Sequence, residues 1–468
     1  MSQTKNLGQA EASPTKRFFV SMLTRDIGLD DAILDLLDNC LDGALRAANG
    51  EEVDYTAYAV DIEISEDHFK IADNCGGIPI DIARKYAFKM GRDSDDDRDD
   101  ESETIGMYGV GMKRALFKMG TQAVVHTKHG DDSYQVAITP EWLNDKEWKS
   151  LPITLDDKLT DSGTSIEVSE LETGVSQHFG NPSFRNELDK AIGEHFTVFL
   201  QKGLTIKING KPVRPTEVRV LTHDDVSLPA PFVHQFTEDD VEVTIVVGLN
   251  TGKGIGDIEE TFIQEREQRT AGWTIFCNDR AVIVGDKTRL TGWGDGIPMF
   301  HAQFSRITGI VEFRSTSADK LPVTTTKRAL DTSSNIWLKA RNVMKEGMHV
   351  WTSYTNKWKN TPRGDETQYW KTAKLVSINE AVSILTTRDI TNKNGGGKEY
   401  NPTKKLALPL PPSDQPSSKR IVFSKTLEEI QLVSSFIFDD RTIKPGLVGE
   451  ECFDDFLRRA QKAMGNEE

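Results

Sequence analysis

Five polar side chains between Asp31 and Asp42 are spaced for chemistry. Asp31, Asp35, Asp38, Asn39 and Asp42 share one face of a helical register, while Ala32, Ile33, Leu36, Leu37, Cys40, Leu41, Ala44 and Leu45 fill the other. Asp31/Asp35 and Asp38/Asp42 are like-charge pairs four apart, each costing an isolated helix roughly 0.2–0.5 kcal/mol. No Lys or Arg offsets them before Arg46. Such a stripe reads two ways, as carboxylates and an amide that hold a cation for a further ligand, or as a solvated acidic face. Downstream, Asp73-Asn-Cys-Gly76-Gly77 ends an alternating run, so a carboxylate stands where two glycines let backbone approach a flat ligand. By itself that pattern is also an ordinary turn after a strand. Finally, Gly106-x-x-Gly109-x-Gly111 opens a helical pattern. Its backbone N–H groups, the helix N-terminus and Lys113 form an anion site suited to phosphate. The Gly-Lys-Ser/Thr spacing of a P-loop is absent, and the array follows an acidic run rather than a strand, unlike a dinucleotide fingerprint.

The elements that must carry these groups follow from period and punctuation. Residues 1–16 read as a flexible arm, and the apolar patch 17–23 as a first strand or a strap that docks elsewhere. Strands are expected at 59–64 and 69–72, a helix at 80–89, strands at 122–126, 134–138 and 163–168, and a helix at 184–201. Residues 92–104 carry an acidic run that cannot pack, a mobile loop ahead of the glycine array suggestive of a lid. A β-rich unit is expected over 203–332, starting at Leu204 with an Asn-Gly turn and continuing through 241–249, 273–277, 281–284 and 307–313. A helical region (333–390), a linker rich in Asn, Gly, Pro and Ser (391–420) and a small helical domain (421–468) complete the chain.

At 468 residues the chain is too long for one core. Its net charge of −16 argues against a generally basic surface that coats nucleic acid, without excluding a local patch. Four cysteines lack metal-ligand spacing, which reads as a reduced, cytoplasmic chain without disulfides. No apolar run approaches the roughly 18 residues of a membrane span, so no membrane partner is expected. The nine histidines form no cluster; His126 and His129 flank a hairpin and read as structural.

In this order the motifs resemble the GHKL ATPases, the group of gyrase B subunits, MutL mismatch-repair proteins, ninety-kilodalton heat-shock chaperones and sensor histidine kinases. Within that group the likeness is to the MORC branch and its bacterial relatives. Asp35-Leu-Leu-Asp-Asn39-Cys-Leu-Asp42-Gly-Ala is similar to the Glu-Leu-x-Asp-Asn-x-x-Asp-Ala helix, and Ile105-Gly-Met-Tyr-Gly-Val-Gly-Met-Lys113 to Ile-Gly-x-Tyr/Phe-Gly-x-Gly-Phe-Lys. Leu321-Pro-Val-Thr-Thr-Thr-Lys327 is similar to the branch's Pro-Thr-His-Asn-Lys loop. The resemblance spans about residues 17–335. It implies an α+β fold, a GHKL (Bergerat) ATP-binding α/β sandwich over 17–202 followed by a ribosomal-S5-like transducer domain. It also implies an Mg-dependent ATP hydrolase: Asn39 as the Mg²⁺ ligand, Asp35 as the general base and Lys327 as the cation on the γ-phosphate, with Lys320 the nearby alternative. Asp73 and Thr164 would hold the adenine, and Gly77, Gly106, Tyr108, Gly109, Val110, Gly111, Met112 and Lys113 would cradle the nucleotide.

Three departures stand out. Asp35 is one methylene shorter than the family's Glu, Cys75 replaces the first Gly of Asp-x-Gly-x-Gly, and the lid lacks a Lys after its Ser while carrying eight acidic residues. The resemblance further implies a homodimer formed with ATP and a conformational clamp in DNA transactions or bacterial DNA defence, with DNA and an associated nuclease as partners. The alternative is a chaperone-like ATPase acting on protein clients. A histidine kinase is disfavoured, because His195 precedes Phe and His349 precedes Val, not an acidic residue.

Overall fold

The computed structural model describes residues 15–48, 50–91, 109–225, 228–251, 271–324, 327–359, 366–390, 408–411, 421 and 423–464. An eight-stranded sheet carries the first half. Its strands are β1 (Ala59–Ile64), β2 (Phe69–Asp73), β3 (Gly120–His129), β4 (Asp132–Ile138), β5 (Ile153–Leu155), β6 (Gly163–Leu171), β7 (Thr205–Ile208) and β8 (Lys211–Pro212), in the order β5-β4-β3-β6-β2-β1-β7-β8. Every neighbouring pair is antiparallel except β1 with β7. Alternation along β1 buries Val60, Ile62 and Ile64 on one face and leaves Asp61 and Glu63 outside. Against that face lie α1 (Lys16–Arg25), α2 (Leu29–Ala47), α4 (Gly111–Met119), α5 (Pro140–Asn144), α6 (Thr173–Gly180), α7 (Pro182–His195) and α8 (Thr197–Gln201), whose apolar residues merge into one core, while Ile80 of the three-residue α3 (Ile80–Ile82) joins a separate cluster with Tyr134 and Val136.

Three expectations need correction here. Residues 17–23 are neither strand nor strap but part of α1: Thr15 caps the Phe18 N–H, Val20 reaches the core, and Lys16 lies 3.4 Å over the Trp142 ring. The boundary expected at 202 also moves. Thr205–Ile208 pairs in parallel with β1, so the Asn-Gly hairpin finishes the first sheet rather than opening the next unit. The helix expected at 80–89 is shorter, α3 running into a π turn at Ala83–Ala87.

A second sheet holds β10 (Phe232–Glu238), β11 (Val241–Leu249), β12 (Gly272–Cys277), β13 (Arg280–Asp286) and β14 (Ile307–Arg314), ordered β10-β11-β14-β12-β13. A 24-residue helix, α9 (Asn335–Trp358), packs across it through Trp337, Met344, Met348 and Trp351, and Trp351 donates to the Val247 carbonyl at 2.7 Å. Between the sheets, β9 (Val220–Thr222) pairs with β15 (Lys374–Val376), and α10 (Ile378–Ile390) follows.

The chain divides into two compact units, Met1–Pro411 and Pro412–Glu468, within the stretch read as a linker. Part of that stretch is docked: Trp358 donates to the Pro409 carbonyl at 3.0 Å. The second unit contains α11 (Leu427–Phe438), whose Thr426 and Glu429 form a capping box, and α12 (Pro445–Ala463), which starts on proline. No helix among the described residues is long and apolar enough to cross a membrane.

Candidate functional site

The acidic stripe of α2 is neither solvated nor open. Asp35, Asp38 and Asp42 are buried, and cations from remote parts of the chain close over the helix. Arg114 of α4 pairs with Asp35. Arg280 of β13, 242 residues away, donates from Nε to Asp38 Oδ1 at 2.8 Å. Lys327, 289 residues away, reaches Asp38 Oδ2 at 3.2 Å. Arg328 pairs with Asp31 at 2.6 Å. Burial pushes the Asp38 carboxyl up, but Arg280 and Lys327 outweigh it and hold it below the usual carboxylate range. At Asp35 the balance reverses: burial raises the carboxyl, and Lys327 and Arg114 offset only part. Burial disfavours charge on Lys327 as well, yet Asp38, Asp42 and Asp35 together keep its ammonium above the ordinary lysine value. Asn39 is the exception in the polar stripe, exposed and with no side-chain hydrogen bond among the described residues.

The second element is the end of β2. Asp73 accepts from the Cys75 N–H at 2.8 Å and from Cys40 Sγ at 3.3 Å, while burial raises its carboxyl and these donors, with the Thr164 N–H, pull it back. Cys75 takes an ordinary negative φ; Gly76 and Gly77 carry the left-handed backbone, so cysteine is tolerated at its position. A Cβ on Gly77 would sit 2.0 Å from the Lys128 carbonyl, which excludes every other residue there. The neighbouring strands hold this turn through Thr127, whose buried hydroxyl accepts from the Ile78 N–H at 2.8 Å and lies 3.3 Å from the Thr164 hydroxyl. His129 binds the Gly76 carbonyl at 2.7 Å, and His126 pairs with Asp156, consistent with structural roles for both.

Of the glycine array, Gly106 and Tyr108 lie outside the described residues, as does the acidic lid 92–104. Gly109 has a left-handed φ of 63°, Val110 caps α4 and Gly111 is its first residue. A Cβ on Gly111 would lie 3.6 Å from Asp35 Oδ2, so the helix N-terminus stands directly over that carboxylate. Met112 packs on the core. Lys113 is buried, its ammonium bonding the carbonyls of Ala87 (2.9 Å) and Gly109.

The two candidate lysines separate. Lys320 pairs with the exposed Asp240 at 2.6 Å. Lys327 sits buried in a tight loop (Lys327 N–H to Thr324 carbonyl, 2.9 Å), with a positive φ of 56° rare for a lysine. Beside it, Arg328 donates to His195 Nε2 at 2.8 Å. A guanidinium can only donate, so His195 is a neutral imidazole whose Nδ1–H bonds the Ala281 carbonyl. Burial and the two flanking arginines, Arg280 and Arg328, hold it well below the usual histidine value.

Sequence reasoning singled out Asp35, Asn39, Asp73 and Lys327, and the structure brings Lys327 to Asp38 of α2, the helix that carries Asp35 and Asn39. It missed Arg114, Arg280, Arg328, His195 and Thr127. Arg114 and Arg328 each follow a chosen lysine directly, a signal within reach; Arg280, His195 and Thr127 lie in no motif.

No curated protein matches the chain. Residues 27–173 match a family described as "Histidine kinase-, DNA gyrase B-, and HSP90-like ATPase", a span that contains α2, the β2 turn, the glycine array and Thr164. Residues 27–173 are thus similar to a GHKL-type ATPase domain, a likeness that supports ATP binding and hydrolysis in general.

Proposed function

We propose that the chain is an Mg-ATP hydrolase of the MORC-like kind, in which hydrolysis requires the second sheet's loop to stay docked on the ATPase domain. The observation that carries this is Lys327, buried 3.2 Å from Asp38 and electrostatically coupled to Asp35 on the same helix. Asp35 is the base. Burial raises its carboxyl toward the range where it accepts a proton from water more readily, and α4 places the Gly111 N-terminus above it. Asn39 fits a magnesium ligand, since its amide is exposed and uncommitted while the carboxylates around it are buried. Magnesium, when bound, neutralises charge on the phosphate oxygens. Asp73 accepts from the adenine amino group, with Thr164 beside it, and Gly77 gives the base room. Gly109, Val110, Gly111 and Met112 line the phosphate side, and Lys327 stabilises charge developing on the transferred phosphoryl group.

The resemblance to bacterial relatives of the MORC branch puts this ATPase in DNA transactions as a clamp that dimerises with ATP, with a nuclease as its partner. The net charge of −16 is the feature that favours the protein-client reading instead. A salt-dependent DNA shift in ATP analogue decides for DNA; suppression of client aggregation without any shift decides for the chaperone.

The enzymatic test compares the two lysines. Lys327→Ala should bind ATP nearly as wild type and hydrolyse it about 10²–10³-fold more slowly, the size of losing one transition-state donor. Lys320→Ala should turn over normally. The reverse ranking transfers the role to Lys320, and two wild-type rates remove the loop from the chemistry.

A further inference from the structure

Between α10 and α11, residues 408–411 (Leu-Pro-Leu-Pro) lie against the C-terminal end of α9. Proline removes the backbone donors at 409 and 411, so this segment suits neither a helix interior nor a sheet ladder. What it offers a partner is carbonyl oxygens and apolar side chains. The end of α9 presents the complement. Trp358 donates its indole N–H, a donor only, to the Pro409 carbonyl at 3.0 Å. Aromatic rings surround that indole, Tyr369 edge-on at 5.7 Å and Tyr354 at 6.2 Å, and Leu408 packs on the same core. Proline-rich peptides dock in aromatic-lined grooves of this kind.

The groove continues beyond this contact. A space of about 470 Å³ beside it is lined by α9 and by Leu408, Pro409 and Leu410. Its lining on α9 runs from Glu346 to Lys357, which is about 16 Å of helix and the length of about five residues of polyproline helix. The hold on the segment is light. Leu408 and Pro409 are half-buried, and Leu410 is 61% exposed.

We infer that the end of α9 is a seat for a proline-rich peptide, filled in cis by Leu408–Pro411 as a releasable latch. With the latch closed, residues 412–426 lead from it to α11; with it open, residues 391–426 lead from α10 to α11, more than twice as many. The latch thus sets the length of chain ahead of the tail helices, and a proline-rich segment supplied in trans opens it. This inference is independent of the ATPase reading.

The test uses the full chain and a fluorescein-labelled peptide of residues 405–414, followed by anisotropy. Pro409→Gly/Pro411→Gly opens the latch, and this variant should bind the peptide saturably. Wild type should bind at least tenfold more weakly, because its own segment competes at the roughly millimolar effective concentration of a short tether. Leu408→Asp opens the latch through a different side chain and should behave as the glycine variant does, so the result does not depend on the folding of one variant. Trp358→Phe, added to either open variant, keeps a ring and removes the N–H; it should weaken binding about two- to tenfold, the size of one hydrogen bond. The peptide with Pro409 and Pro411 replaced by glycine should not bind. Absence of saturable binding in both open variants overturns the proposal and leaves Leu408–Pro411 as ordinary packing. Equal affinity in wild type and open variants places the peptide elsewhere and overturns occupancy in cis. An affinity that Trp358→Phe leaves unchanged, or equal binding of the glycine peptide, overturns the seat as a reader of proline-rich sequence.

Discussion

At the scale of single residues, two departures from the GHKL pattern have different standing. The family's Ala after its last helix Asp is Gly43 here, and the family's first turn Gly is Cys75. These two residues touch: a Cβ on Gly43 would lie 2.8 Å from the Cys75 carbonyl and 3.4 Å from its Cβ. The helix lacks a side chain where the turn has gained one, so the two departures meet at a single contact. Asp35 has no such counterpart. Its shortened carboxylate is drawn to Arg114 and is buried, so the base role proposed for it would be exercised from a paired state. Asp35→Asn should leave nucleotide binding intact and slow hydrolysis strongly, whereas Asn39→Ala should abolish magnesium-dependent binding, because no neighbouring free group can take over the amide. Isothermal titration with and without magnesium, beside phosphate release, separates the two; an Asp35→Asn enzyme with the wild-type rate would remove Asp35 from the mechanism.

At the scale of elements, α2 is held to β13 and the 323–330 loop by a buried set of charges that behaves as one piece. Asp38 accepts from Arg280 and Lys327, Arg280 stacks 4.2 Å over the Phe196 ring, and His195 ties Arg328 to β13. His195 is neutral in the fold and takes up a proton only on unfolding, where its pKa returns to about 6.5. The unfolded chain therefore binds more protons below that pH. Stability is complete above about 6.5 and falls as the pH drops further, by up to about 1.4 kcal/mol for each unit by which the folded value is depressed. Urea midpoints measured from pH 8 to pH 5 should show this loss, and His195→Gln, which keeps an acceptor for Arg328, should be less stable at pH 8 but flatter with pH. An unchanged slope would remove His195 as the source. This joint was the least legible part of the chain. Strands such as β1, β11 and β14 were evident from local alternation, and α9 from its period. Contacts across 242 and 289 residues leave no local periodicity, and neither does the parallel pairing that draws β7 into the first sheet. The acidic stripe was visible, but its meaning depended on cations that only the fold supplies.

At the scale of the whole molecule, the dimer proposed above has a candidate surface in α1, where Phe18 and Met22 are exposed one turn apart. On the clamp proposed above, light scattering should find a monomer alone and a doubled mass with a non-hydrolysable ATP analogue. Adding Phe18→Glu and Met22→Glu should restore the monomer in the presence of analogue. A mass that never responds to the analogue would rule out the ATP-dependent clamp while leaving hydrolysis intact.

The placement of the tryptophans has an optical consequence. Of eight in the chain, six (Trp273, Trp293, Trp337, Trp351, Trp358 and Trp370) belong to the core of the second sheet and its helix, and none lies on α2, β2 or α4. Trp142 and Trp148 alone report on the ATPase domain, and both rings face the ammonium of Lys16 on α1, at 3.4 and 5.2 Å. Intrinsic fluorescence is therefore nearly blind to the nucleotide site itself. What it registers from this half of the protein is the seating of α1, so an emission change on adding ATP records the N-terminal helix lifting or tightening rather than the filling of the pocket.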